Sequence, residues 1–347
     1  MKRPLLESGR EELASWCESK GERPFRAKQI LEWVVRHRAV RFDQMTNLPK
    51  SLREQLDLEW RIFGSSIAKD SGDLDGTHKL LLALTDVQTI ECVLLPEEER
   101  RTICISTQVG CGMACVFCAS GLNGVERNLT TGEIIEEMLQ LQNLLPATER
   151  ISHIVVMGMG EPLANLDALL PALAFATSPE GLGISARHVT ISTVGLPAKI
   201  RRLAEENRPY HLAVSLHAPN DEIRRRIVPT AEKVVLSEIL AAADEFREKT
   251  GRQVTFEYVL LEGINDQPEH AKELARLLGR RDALINLIPY NPVSGLPYGT
   301  PPAEGTARFA EILRDSGFVV KIRKRKGSKI SAACGQLRRT NGLVALQ

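Results

Sequence analysis

Three cysteines within Cys111-Gly-Met-Ala-Cys115-Val-Phe-Cys118 constrain this chain more than any other feature. Thiols packed so tightly on one stretch of a soluble chain hold a metal or an iron–sulfur cluster. A cube of four irons takes four ligands, and the local run supplies three. One iron is then open to a group from outside the protein. Zinc is the alternative, but its structural sites use two Cys-x-x-Cys pairs or added histidines. Here there is no second pair, and the next histidine downstream is His153. The spacing favours the cluster.

The 347 residues, 43% hydrophobic and 26% charged, suffice for one large α/β domain and a smaller one. No run approaches the roughly 18 apolar residues of a membrane helix. The opening Met1-Lys-Arg-Pro-Leu-Leu-Glu-Ser has no signal-peptide apolar core. The expected location is cytoplasmic, where thiols stay reduced, so seven cysteines read as ligands, catalytic groups or buried hydrophobes rather than a disulfide framework. The default oligomeric state is a monomer.

Net charge is only +1, but its distribution is uneven. Residues 321–339 hold eight Lys/Arg and no acid, and residues 21–41 hold six bases against Glu22 and Glu32. Two basic segments in an otherwise acidic chain suit a polyanion partner.

Residues 1–60 read as a helical accessory domain, with Phe25, Ile30, Leu31, Val34 and Val35 at helical spacing. Residues 61–96 read as a β-hairpin extension: a turn at Gly72-Asp-Leu-Asp-Gly76, then a hairpin of His78–Leu84 and Val87–Leu95. Residues 97–347 form the core. Apolar strands at 102–107, 151–157, 189–193, 211–216, 254–260 and 284–288 alternate there with helical patterns at 130–145, 166–176, 198–205, 235–249, 269–278 and 303–316. Such alternation predicts a parallel sheet, here a (β/α)6 partial TIM-type barrel. Chemistry in such barrels lies at the C-terminal ends of the strands, and the cysteine run directly follows the first of these strands.

Other candidates sit at successive strand ends. A cluster with one open iron is the arrangement that binds S-adenosylmethionine (SAM). Gly160-Glu161 in Met157-Gly-Met-Gly-Glu-Pro162 would let backbone approach that ligand, with a carboxylate to receive its ammonium. Ser192, then Ser215 with His217, then Asn291 follow at the next mouths. Cys104 precedes the cysteine run, and Cys334 lies in Ser331-Ala-Ala-Cys-Gly-Gln336 after the basic stretch. On context alone either is a packed hydrophobe. Cys17 and Cys92 read as structural, and Glu91 as an exposed strand carboxylate.

Several stretches resemble one family over about residues 25–337. They are Thr102-Ile-Cys-Ile-Ser-Thr-Gln-Val-Gly-Cys111, Met157-Gly-Met-Gly-Glu-Pro-Leu163, Ser215-Leu-His-Ala-Pro-Asn-Asp221, Phe256-Glu-Tyr-Val-Leu-Leu261, Asn286-Leu-Ile-Pro-Tyr-Asn-Pro292 and Ala332-Ala-Cys-Gly-Gln-Leu337. This family is the RlmN/Cfr group of radical-SAM RNA adenine methyltransferases. The resemblance implies a [4Fe-4S] cluster on Cys111, Cys115 and Cys118. It implies SAM, two per turnover, contacting Gly160, Glu161, Ser192, Ser215, Leu216, His217 and Asn291. Cys334 would carry a methyl group, a 5′-deoxyadenosyl radical would activate it, Cys104 would resolve the resulting RNA adduct through a disulfide, and Glu91 would accept a proton. The implied partners are 23S rRNA at the peptidyl-transferase centre, the tRNA anticodon loop, and a low-potential donor such as flavodoxin with flavodoxin reductase.

The wording at 160–162, 257–260 and 288–291 is closer to the carbon-2 (RlmN) type than to the carbon-8 (Cfr) type. Three alternatives stand beside it. They are the carbon-8 rRNA methyltransferase, a radical-SAM activase acting on protein, and a zinc-stapled RNA-binding module without catalysis.

Overall fold

A computed structural model describes residues 2–338; Arg339, last of the eight bases counted above, and the rest of the C-terminus lie outside them. The N-terminal part is helical: α1 (Arg10–Ser19), α2 (Phe25–Val35) and α3 (Lys50–Glu59). Their apolar stripes meet over Leu13, Ile30, Leu52 and Leu56, all sealed from solvent. Trp16 packs edge-on against Trp60 at 5.8 Å and donates its indole N–H to Glu59. A short parallel pair, Arg3–Pro4 with Trp60–Arg61, closes this unit on itself.

One ten-stranded sheet follows, its strands lying side by side in the order the chain makes them. They are β1 (Ser66–Gly72), β2 (His78–Ala83), β3 (Thr89–Pro96), β4 (Arg101–Cys104), β5 (His153–Val156), β6 (Val189–Thr193), β7 (His211–Ser215), β8 (Val254–Leu260), β9 (Ala283–Pro289) and β10 (Val319–Ile322). From β1 to β4 neighbours run antiparallel; from β4 to β10 they run parallel. Parallel neighbours need a crossover, which helices supply. These are α4 (Thr131–Asn143), α5 (Leu166–Thr177), α6 (Pro197–Glu205), α7 (Asp221–Ile227), α8 (Leu236–Thr250), α9 (Pro268–Leu278) and α10 (Ala303–Asp315). The outer edges of the sheet are β1 and β10, so the barrel is open.

The physical drive is burial. Ile103, Ile154, Val156, Ile191, Leu212, Val214, Ile285 and Leu287 have no exposed surface, and each such side chain is worth about 1.5–3 kcal/mol. Helix α4 starts where its capping box says: Thr130 Oγ1 accepts the Glu133 N–H at 3.1 Å, and the Glu133 carboxylate accepts the Thr130 N–H at 3.0 Å.

The parallel sheet has one more strand than the six expected. The addition is β10, inside the basic stretch, whose apolar content is too short and too interrupted by Lys321 and Arg323 to stand out as a strand. The expected 102–107 strand stops at Cys104. The chain then turns away, and Gln108–Gly110 pairs with Val125–Asn128 as a small hairpin framing the cysteine loop.

The basic segments are less free than their charge count implies. Five of the six bases in 21–41 have partners within the protein. Arg26 pairs with Glu22, Lys28 with Glu180 and Arg41 with Asp43, while Arg36 and Arg38 donate to the carbonyls of Pro179 and Leu145. In the C-terminal segment Lys326 pairs with Glu97, and Arg325 donates to Asn291 and Tyr290. Among the described residues no helix is long and apolar enough to cross a membrane.

Candidate active site

The C-terminal ends of the parallel strands surround a cleft of about 910 Å3, counted out to its open mouth. Of the thirteen residues singled out above, ten line it. Leu216, Cys104 and Glu91 do not.

The cysteine loop leaves the Gln108–Gly110 strand through Gly110, whose φ is +81°. A Cβ there would stand 2.1 Å from the Gly124 carbonyl oxygen, so only glycine closes the base of the loop. The Cys111 N–H donates to Gly124, and the Cys118 N–H to Cys115. All three thiols face the cleft, and burial is the main cause pushing each of them up, Cys111 to about 12. Neutral thiols are what such a pocket holds when it is empty; an iron cluster would supply the positive charge that makes them thiolates. Among the described residues no three His, Cys, Asp or Glu side chains are gathered closely enough to hold a single metal ion. A four-iron body is larger than an ion and does not need that closeness.

Gly160 takes φ +105°, and a Cβ on it would meet Gln108 at 2.7 Å. This tight approach brings Glu161 into the cleft. It is 3% exposed, its carboxylate accepts the N–H groups of Leu163 at 3.0 Å and Val194 at 2.8 Å, and among the described residues it has no cationic partner. Burial holds it above the ordinary carboxylate range despite these donors. A buried, ligand-facing carboxylate without a cation is the complement of an ammonium group. Ser192 and Ser215 face each other with their hydroxyls 3.5 Å apart.

His217 stands at the end of β7 with φ +59°, a conformation that costs a non-glycine residue about 1–2 kcal/mol. Its Nδ1 accepts the Val259 N–H at 3.1 Å, which leaves Nε2–H as its donor. Burial, reinforced by Arg224, pushes its pKa down to about 3, so the ring is neutral at physiological pH. Asn265 locks this turn. It donates to the carbonyls of His217 and Val259, both at 2.7 Å, and accepts the Leu261 N–H at 2.7 Å. Leu216 is buried with its backbone already committed: its N–H reaches Glu257 and its carbonyl accepts Arg224.

Arg224 was hidden in the polar run Asp221-Glu-Ile-Arg-Arg-Arg226, which reads as a solvated helix face. Instead it is 1% exposed and donates to the carbonyls of Val194, Leu216 and Val234, stapling two strand-end loops beside Cys115. Nothing local in the sequence marks Asn265 or Arg224, because the groups they engage are backbone carbonyls and an N–H of strand ends and loops, which carry no side-chain signature.

Cys104 is the last residue of β4, and Cys334 approaches it from the far end of the chain. Burial pushes the Cys104 thiol up, and the neighbouring Cys334 pushes it further. Cys334 itself lies on the cleft mouth with solvent contact, yet protein crowds its sulfur and pushes it up to about 11. The Arg323 guanidinium draws both thiols down. Asn291, at the end of β9, spends both ends of its amide here. It donates to the Cys334 carbonyl at 3.1 Å and accepts Arg325 at 2.8 Å.

Glu91 is not the exposed strand carboxylate that its context suggests. It is 6% exposed, because the C-terminal segment folds over β3 and covers it.

Comparison with known proteins agrees with this geometry. Residues 4–62 match the family described as ribosomal RNA large subunit methyltransferase N-terminal domain, and residues 105–278 match the radical SAM superfamily. The chain is 55% identical over 343 residues, 99% of its own length and 92% of the relative's, to a probable dual-specificity RNA methyltransferase RlmN of Rhodopirellula baltica. It is 48% identical to a protein of the same description from Symbiobacterium thermophilum, over 97% of this chain and 91% of that one. The crystal structure of a radical SAM methyltransferase from Sphaerobacter thermophilus superposes with a TM-score of 0.93. That protein is 41% identical, and the match covers 97% of this chain and 99% of that one.

Proposed function

The chain belongs to the RlmN family of radical SAM RNA methyltransferases, and on that premise we propose that it methylates carbon 2 of one adenine in 23S rRNA and one in tRNA. The targets are the peptidyl-transferase adenine and an adenine of the anticodon loop. What supports this reading is that Cys334 lines the same cleft as the three clustered cysteines, with Cys104, at the end of β4, near enough for the charge of one thiol to act on the other. A cluster-binding activase would not need that second pair of thiols.

Each residue then has a task. Cys111, Cys115 and Cys118 hold the [4Fe-4S] cluster. Glu161 takes the SAM ammonium, while Gly160, Ser192, Ser215, His217 and Asn291 shape the rest of its seat; Leu216 contributes through the backbone of that turn. The bound cluster supplies the electron that cleaves SAM to a 5′-deoxyadenosyl radical. Cys334 accepts a methyl group from a first SAM, losing its thiol proton, with Arg323 favouring the thiolate that attacks. A second SAM, cleaved at the bound cluster, would take one hydrogen atom from that S-methyl group and leave as 5′-deoxyadenosine; Cys334 would then present the carbon radical to the base, and the adduct would give up one electron, which the oxidised cluster would accept. Carbon 2 of adenine is electron-poor, so radical addition suits it better than polar transfer from SAM. Glu91 takes the carbon-2 proton. Cys104 attacks the Cys334 sulfur, an S–S bond forms, the carbon–sulfur bond breaks, and the base leaves with its carbon, which gains a proton to become methyl. Restarting the cycle requires reduction of that disulfide. A flavodoxin-type donor in the cytoplasm supplies electrons to the cluster.

Access to an adenine requires a splayed base at the cleft mouth. Lys321, Lys324 and Lys329, exposed on or beside the segment that carries Cys334, meet phosphates, with salt-dependent affinity. The helical unit at residues 1–60 and the hairpin at 61–96 serve as an RNA-docking platform flanking the core.

The test is nucleoside mass spectrometry on large-subunit rRNA and tRNA from a methyl-deficient strain, incubated anaerobically with reconstituted protein, SAM and reductant. Appearance of 2-methyladenosine in both RNAs is the expected result. Detection of 8-methyladenosine would move the protein to the carbon-8 type. Cleavage of SAM with neither product would overturn the RNA assignment.

A further inference from the structure

The segment bearing Cys334 is gripped by the antiparallel strands β1–β3, whose β1–β2 hairpin carries the tip described below, and not by the barrel alone. Lys79 Nζ donates to the Ser331 carbonyl at 3.1 Å and lies 2.8 Å from Glu91 Oε1. The other carboxylate oxygen, Oε2, accepts the Arg338 N–H at 2.9 Å. One ion pair thus holds the chain on both sides of the cysteine. The two side chains are 12% and 8% exposed, so water competes little for these bonds. The register explains the pairing. Lys79 stands opposite Val93 and Leu81 opposite Glu91, which makes Lys79 and Glu91 diagonal neighbours on adjacent strands.

The hairpin tip adds further holds. Asp75 accepts the Gly327 N–H at 3.1 Å, and Asp73 accepts the Lys329 N–H at 3.2 Å. Gly327, at φ +60°, fits so closely that a Cβ would come 2.9 Å from Thr77 and 2.7 Å from Ala332. The hairpin and the Cys334 segment are shaped to each other.

We propose that Lys79 is a positioning residue, forming with Glu91 a clasp that seats residues 331–338 so that the Cys334 sulfur faces the cleft. This rests on the reading of Cys334 as the methyl carrier. It also gives the hairpin a task beyond RNA contact.

The test compares wild type, Lys79→Met and Lys79→Arg, each reconstituted and given SAM without RNA. Two quantities are read: S-methylation of Cys334, from the mass of its peptide, and amide hydrogen exchange across 331–338. Lys79→Met removes charge-assisted bonds to buried partners, so methylation slows by about tenfold to a hundredfold. Exchange accelerates within 331–338, while iron content and SAM affinity stay at wild-type levels. Lys79→Arg, which keeps the charge, restores most of the rate. Wild-type methylation and exchange in Lys79→Met would overturn the clasp. If Lys79→Met fails to fold, Lys79→Gln, which also removes the charge, takes its place, with the same loss expected and wild-type methylation and exchange counting against the clasp. Should wild type itself take no methyl on Cys334, the carrier reading falls. The exchange data then decide the clasp alone, local acceleration supporting it and an unchanged profile refuting it.

Discussion

Replacing Asn265 by alanine should damage both stability and SAM binding, by amounts the geometry sets. Asn265 has no exposed surface and makes three bonds of 2.7 Å, to His217 O, Val259 O and Leu261 N. The Leu261 N–H and the His217 carbonyl belong to buried residues, and stranding each costs about 1–3 kcal/mol, or roughly 2–6 kcal/mol together. His217 also loses the carbonyl anchor that holds its left-handed backbone, so its ring no longer has a fixed aim into the cleft. Urea denaturation of the apoprotein measures the first effect, and calorimetric titration of the reconstituted protein with SAM measures the second. SAM affinity should fall by about tenfold or more, the worth of one well-aimed hydrogen bond in a sealed site. Asn265→Asp keeps an acceptor for Leu261 but loses both donations, so it should fall between alanine and wild type. A loss of stability under about 1 kcal/mol with unchanged SAM affinity would refute the argument that this side chain organises the β7 and β8 ends.

In apoprotein, alkylation of Cys334 by iodoacetamide should keep rising with pH toward 11 instead of levelling near the ordinary thiol value. At pH 8 a thiol of pKa about 11 is roughly one part in a thousand thiolate, against about a quarter for a thiol of pKa 8.5. A plateau below pH 9.5, read by peptide mass spectrometry, would show that the solvent contact of Cys334 at the mouth outweighs the desolvation that raises its thiol. Gly110→Ala places a methyl 2.1 Å from the Gly124 carbonyl and forces the base of the cysteine loop open, so reconstitution should give well under half the wild-type iron and visible absorbance. Full cluster loading would show that the loop does not depend on that closure. Cys104→Ala should leave protein covalently attached to RNA on a gel, whereas Cys334→Ala should yield neither adduct nor product while still cleaving SAM. Release of methylated RNA by Cys104→Ala would remove the resolving role.

The alternation of strands and helices was legible because parallel strands buried on both faces read as near-continuous apolar runs, as in Val254–Leu260. The cysteine loop and the Gly160-Glu161 turn were legible because their chemistry is local in sequence. Other features depend on what meets what across the fold. Glu91 looked exposed because the segment that covers it is 247 residues away. Arg224 carries no signal in the sequence because the carbonyls that receive it come from other loops. Much of the basic charge in 21–41 looked available for RNA because Glu180 and the carbonyls that engage it lie in the core domain. Strand β10 gives no strand signal because three of its four residues are exposed at a sheet edge.

The side-by-side order of the ten strands has a consequence for how the molecule is made. Each strand emerging during synthesis finds its partner already in place, so the sheet can grow in one direction with short loops to close and little search. The cysteine loop at 111–118 and the turn at 160–161 are synthesised while more than half of the chain is still unmade. The Cys334 segment comes last and reaches back 252 residues to Lys79, among the longest-range contacts in the molecule. Assembly therefore passes through a stage with a formed cofactor seat and no lid over it, which gives metal delivery a time window before the final segment docks.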